Sequence, residues 1–288
     1  MTLNRLGAVF LYPMSTTLIS YADEKFKPAQ QFLNQTAKIT GLVDSFVGYG
    51  PKDIDANFRS QNEYILSNPR GGGYWLWKPY VILKTLESAN WGDFIFYSDS
   101  ASYFIEPATR LTNLTYLYDQ DIISFELQQL ESDWTKRDAF FYMQLDSENF
   151  QMQPQRLASH IIFKKTPFVM QFAQEYLKYC CDSRIITDDP NECGLPNYEK
   201  FIGNRHDQSV FSLLCKKYQI IPFRDPSQWG IPHMNNYTNS NYPQILYLTR
   251  QPTPKEASVK YIWKARFIKI INYFYAKIIM LSKRSNRI

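Results

Sequence analysis

Thr16 to Ala22 is a run of β-branched and apolar residues, Lys27 to Lys38 has the pattern of a helix, and Gly41 to Tyr49 reads as a second strand closed by Gly50-Pro51. This strand, helix, strand order constrains the chain most. A helical crossover sets its two strands side by side and parallel, and such a sheet needs helices on its faces. An α/β fold is therefore expected. Further along, Asp55 to Leu66, Leu76 to Ser88, Thr166 to Cys181 and Asp207 to Lys217 read as helices, with Pro79 in a first turn and Thr166 as a cap. Asp93 to Tyr97, Asp121 to Glu126 and His160 to Phe163 read as buried strands. The stretches 67–73 and 187–198 are rich in Gly, Pro, Asn and Asp and read as loops.

The 288 residues, 44% of them hydrophobic and 20% charged, hold enough apolar material for one large core. Charge divides the chain into a folded body, 1–256, and a tail, 257–288. From Lys255 onward there are nine Lys/Arg against the single acid Glu256, so this end carries +8 of a net +5 and leaves the rest at −3. A mildly acidic body excludes a general nucleic-acid binder, which needs a basic surface on the domain itself. In the tail, cations alternate with Ile262, Trp263, Phe267, Ile271 and Phe274 at helical spacing, as in helices that lie on anionic membrane surfaces; docking on the body is the alternative. No stretch reaches the roughly 18 uncharged residues of a spanning helix. The apolar run Leu6 to Tyr12 is cut short by Pro13 and reads as mature protein. Cys180, Cys181, Cys193 and Cys215 have no zinc-site spacing and fit packed thiols in a reducing cytoplasm.

Three clusters carry residue types suited to chemistry. Arg70-Gly-Gly-Gly-Tyr-Trp75-Leu-Trp77-Lys78-Pro-Tyr80 joins a flexible loop, cations and aromatics at a helix start, a combination suited to an anion; a packed Trp pair with solvated charges is the structural alternative. Asp99, after an apolar strand, suits a hard divalent ion that shares a substrate diphosphate, or a capped turn. In Arg205-His206-Asp207-Gln208 the carboxylate suits orienting or deprotonating a hydroxyl, or capping the helix.

In order along the chain, RGGGYWLWKPYVILKTL, FIFYSDSA, DWTKRDAF, TDDPNECGLPNY and FIGNRHDQSVFSLL resemble bacterial and large-virus glycosyltransferases of the GT-A superfamily, and more distantly the glycogenin-like group, over about residues 20–228. The resemblance implies a Rossmann-like nucleotide-diphospho-sugar transferase fold, a mixed sheet flanked by helices, and transfer of a sugar from a nucleotide-sugar donor to a glycan or lipid-linked acceptor. It implies that Tyr21 and Ala22 lie beside the nucleotide. Arg70, Trp75 and Lys78 would line the donor pocket, and Asp207 and Gln208 would face the sugar. Asp99 would be the last aspartate of a DxD motif, binding Mn²⁺ or Mg²⁺ with His233 as a later ligand. Arg137 and Asp138 of the third motif join His206 and Asp207 as catalytic candidates. One departure is plain, since Tyr97 stands at the first acidic position of DxD, which implies weak, donor-assisted metal binding. A non-catalytic glycan- or nucleotide-binding module and a membrane-associated scaffold are the rival classes. The expected location is cytoplasmic, peripheral at the inner face of a membrane.

Overall fold

The structure, a computed structural model, describes residues 14–254. The tail and the Leu6 to Tyr12 run lie outside the described residues.

Among the described residues, eight strands form two sheets. The strands are β1 (Thr16–Tyr21), β2 (Ser45–Tyr49), β3 (Phe94–Ser98), β4 (Ser102–Phe104), β5 (Ile122–Leu130), β6 (Pro154–Lys164), β7 (Pro222–Arg224) and β8 (Leu246–Leu248). The main sheet has the order β2-β1-β3-β6-β5-β7, and β4 pairs with β8 in a small antiparallel ribbon. β1 is parallel to β2 and β3, and β5 to β7, while β6 runs antiparallel to both its neighbours. Helices α1 (Lys27–Thr36), α2 (Trp77–Ser88), α3 (Pro167–Cys180) and α4 (Asp207–Lys217) flank this sheet. The expected class, a mixed sheet flanked by helices, is what the chain adopts.

The alternation along the strands explains why both faces are covered. Ile19, Ile95, Tyr97, Ile161 and Phe163 point into one apolar layer with Ile82 of α2, Phe172 of α3 and Phe211 of α4. Their neighbours Leu18, Phe94, Phe96 and Ile162 point into the other, with Leu33 of α1 and Phe104. β3 is buried at every position, which is why it reads in the sequence as a continuous apolar run.

Boundaries differ from the sequence reading at particular residues. β2 begins at Ser45 rather than Gly41, because Ala37–Gly41 continues α1 as a π-helical turn that Leu42 ends in the left-handed region. The helix expected from Asp55 to Leu66 is broken at Asn62, whose φ is −119° and whose side-chain amide donates to the Phe58 carbonyl. β5 and β6 are longer than their apolar cores, since their outer halves form a ribbon with register shifts.

Candidate functional site

The glycine loop is built by handedness. Five consecutive residues, Gly71 to Trp75, have positive φ, from 50° to 95°. A left-handed turn costs an L-residue about 1–2 kcal/mol, and three glycines remove most of that cost. Space demands them as well. A Cβ on Gly73 would stand 2.7 Å from the Leu66 Cα, and one on Gly71 2.3 Å from the Trp75 ring. The turn is held by the Trp77 indole N–H, which donates to the Gly71 carbonyl at 2.9 Å, and it delivers Trp75 and Lys78 to the start of α2.

Lys78 is buried, at 3% exposure, beneath the C-terminal end of β3. Its Nζ lies 2.7 Å from Asp207 Oδ2 and 3.8 Å from Asp99 Oδ1, and donates to the Ala158 carbonyl at 3.2 Å. Burial works against its charge, yet Asp207 and Asp99 together hold its pKa above the ordinary lysine value. Two carboxylates share this one ammonium. Burial accordingly raises the Asp207 carboxyl, with Lys78 opposing and Asp99 adding to the rise. Tyr97 donates its hydroxyl to Asp99 Oδ1 at 2.7 Å, and Tyr176 donates to Asp207 Oδ2 at 3.2 Å. Burial first, and these carboxylates next, push both phenols well above their usual value, so they remain donors.

At the start of α4, Asp207 does not cap the helix. The N-cap position is His206, which makes no side-chain cap and sits at φ 54°, ψ −118°. A non-glycine residue there stores strain, on the order of 1–3 kcal/mol. Its ring stacks on Trp75, donates Nδ1–H to the Ile186 carbonyl at 2.7 Å, and turns Nε2 toward Asp188 Oδ1 at 3.8 Å. Asp188 also receives Arg70 at 2.9 Å. Burial chiefly lowers the His206 pKa, which favours the neutral imidazole. Gln208 takes the Ala158 amide at 3.2 Å and donates to Gln155 at 2.8 Å.

These groups surround one cavity of about 760 Å³. Of the residues singled out in the sequence, Arg70, Trp75, Lys78, Asp99, His206, Asp207, Gln208 and His233 line it together. Four do not. Tyr21 and Ala22 end β1 away from its wall, where Tyr21 stacks on Trp77 with ring centroids 4.0 Å apart and Ala22 is buried. Arg137 pairs with Asp146 at 2.9 Å and lies over Tyr198, and Asp138 accepts the amides of Glu192 and Cys193 at 2.9 Å. Neither faces the cavity: Asp138 supplies side-chain acceptors to the 187–198 loop, whose backbone has no ladder of its own, and Arg137 holds Asp146 and the Tyr198 ring.

The residues present do not build a resident divalent-ion site. Asp99 offers a carboxylate whose Oδ1 already accepts from Tyr97 and faces an ammonium, and no group of three or more His, Cys, Asp or Glu is placed to hold a metal among the described residues. Asp99 and His233 both line the cavity, and Lys78 is the positive charge beside Asp99.

Trp134, Arg205, Trp229, Tyr237 and Arg250 also line the cavity. The first two lie inside quoted motifs and were within reach of sequence reasoning. Arg250 follows β8 in a stretch with no periodic signal.

No protein-family model and no curated protein matches the sequence. Solved structures with a distant likeness of shape include mouse xyloside xylosyltransferase 1 in its apo form, 8% identical, covering 84% of this chain and 99% of that one at a TM-score of 0.41. The galactosyltransferase LgtC with donor and acceptor sugar analogs is 13% identical, with 89% and 95% covered and a TM-score of 0.41. The bifunctional glycosyltransferase WbbM is 10% identical, with 73% of this chain but 38% of that one covered and a TM-score of 0.37.

Proposed function

We propose that this chain is a glycosyltransferase that moves a sugar from a nucleoside-diphosphate donor to a hydroxyl of a glycan or lipid-linked acceptor. The observation that carries this reading is that three separated motifs, around Arg70 to Lys78, Asp99 and His206 to Gln208, converge on one cavity at the C-terminal end of β3. Ligands of open α/β sheets sit at such strand ends. The bond from the sugar C1 to the diphosphate breaks, one to the acceptor oxygen forms, and the acceptor's hydroxyl proton passes to the departing diphosphate. Stabilising charge on the departing diphosphate is the main task. Asp207, engaged by Lys78 and Tyr176, orients the site rather than abstracting a proton. Gln208, half-buried on the wall, is placed to hold a sugar hydroxyl.

Metal assistance belongs to this reading only as Mn²⁺ or Mg²⁺ carried in with the donor. The basic tail belongs to it as a contact with anionic lipid at the cytoplasmic face of a membrane, which liposome co-sedimentation with and without residues 257–288 checks. The test of the activity is transfer and hydrolysis of a panel of UDP-, GDP- and CDP-sugars, with Mn²⁺ and with a chelator. Turnover of at least one donor is expected. A folded chain that binds nucleotides but turns over none would favour the second reading, a non-catalytic binding module, for which Tyr97 in the first acidic position is the supporting feature.

A further inference from the structure

The cations around the cavity fall into two groups. Arg70 is paired with Asp188, and Lys78 with Asp207 and Asp99. Arg224 is fully buried, and its guanidinium donates to the main-chain carbonyls of Asp225 and Tyr242. Arg205 and Arg250 differ, since neither has a carboxylate within ion-pair distance among the described residues. Each is instead laid on an indole, with Arg205 4.0 Å from the Trp134 ring centroid and Arg250 5.4 Å from that of Trp229.

Their setting is fixed rather than loosely solvated. Arg205 is half-buried, and its Nη1 donates to Gln155 Oε1 at 3.1 Å, the same oxygen that Gln208 holds. Burial first, and the positive charge of Arg250 second, push the Arg205 guanidinium below its ordinary value, so the two cations feel each other across the cavity. The cavity's carboxylates offer no relief. Glu126 is taken by Arg156 and Tyr237, and Asp225 accepts the Ser227 amide. An indole covers one face of each guanidinium, which leaves for an oxyanion the edge donors not spent on Gln155.

We propose that Arg205 and Arg250 form an anion-binding site at the exposed side of the cavity, taking a phosphate or carboxylate group of a sugar-bearing ligand between Trp134 and Trp229. This rests on the glycosyl-transfer reading for the ligand's class and revises it in one respect: the cations that meet the ligand's charge are not Arg70 and Lys78, which carboxylates already neutralise. The shared chemistry is an oxyanion, and its source is either the donor's diphosphate or an acidic sugar of the acceptor.

Isothermal titration calorimetry on the full chain, with inorganic pyrophosphate, UDP, GDP and glucuronic acid as probes, tests the site. Wild type, Arg205→Lys, Arg250→Gln and Arg70→Gln are compared, with thermal unfolding to show that each is folded. The expected result is that at least one probe binds wild type, that affinity falls with added salt, and that Arg250→Gln and Arg205→Lys each weaken it tenfold or more while Arg70→Gln changes it less. Binding of pyrophosphate and the nucleotides assigns the site to the donor; binding of glucuronic acid alone assigns it to the acceptor. Because Arg250 is exposed, its variant keeps the test open should Arg205→Lys unfold. Wild-type affinity in both folded variants, or no binding of any probe to wild type, overturns the proposal. Anion binding that depends on these arginines, in a chain that turns over no sugar nucleotide, leaves this site standing and removes the transferase reading instead.

Discussion

At the buried end of the cavity Lys78 directs its donors to Asp207 and the Ala158 carbonyl and lies near Asp99, whereas at the exposed end Arg250 lies on Trp229 with no carboxylate beside it. The same kind of charge thus serves two purposes. A buried cation with two acidic neighbours holds helices and strands in place, and its removal strands those neighbours in a poor dielectric. A half-exposed cation resting on an aromatic face costs the fold little and is left to meet a ligand. The ends are therefore separable, with stability expected to follow the first and ligand affinity the second.

The sharpest way to break this comparison is Lys78→Met, which leaves Asp207 and Asp99 uncompensated and should cost about 3–5 kcal/mol in urea unfolding. A stability within about 0.5 kcal/mol of wild type would mean that the inner end is not structural. Gly73→Ala comes next, on the order of 2 kcal/mol or more, since the new methyl meets Leu66 and φ is 95°. Gly203→Ala on the same cavity, where an added Cβ meets nothing within 4 Å, should stay within about 0.5 kcal/mol; equal losses at the two glycines would refute the handedness argument.

A smaller effect concerns pH. Burial, the first cause in each case, lowers the pKa of both His160 and His206 from the ordinary 6.5. The unfolded chain then binds protons that the folded one refuses, so their contribution is whole above about pH 6.5 and is lost as pH falls through the folded values. The urea midpoint should drop between about pH 7 and about pH 5, and His160→Gln should flatten that drop; an unchanged slope would assign it elsewhere. Least of all, Arg250→Gln should leave stability within about 0.5 kcal/mol of wild type, as thermal unfolding would show, and a larger loss would place Arg250 with the structural cations.

Much of this architecture was legible in the residue order. The apolar runs at Thr16 to Ala22 and Asp93 to Tyr97 became β1 and β3 because strands covered on both faces have little room for polar residues. The helices at 77–88, 167–180 and 207–217 emerged within a few residues of their expected bounds, as their caps and prolines indicate. What stayed hidden depends on partners far away in sequence. β4, β7 and β8 are three residues each, too short for any periodicity. Arg137 and Asp138 carry catalytic residue types, yet only the folded chain shows Arg137 paired with Asp146 over the Tyr198 ring and Asp138 turned toward the amides of the 187–198 loop. The reverse holds for Arg250, which nothing local marks.

The reversal of β6 has a consequence for how the molecule comes together. Its first half, not its end, meets the edge where the parallel strands finish, and there Ala158 gives its amide to Gln208 and its carbonyl to Lys78. A growing polypeptide that has emerged only as far as β5 has the Lys78 helix and Asp99 in hand but lacks both the Ala158 oxygen and the Asp207 carboxylate that receive it. The hollow is thus a late product of assembly. Refolding protein should acquire ligand in step with its slowest long-range strand pairing, not with the early gain of helix.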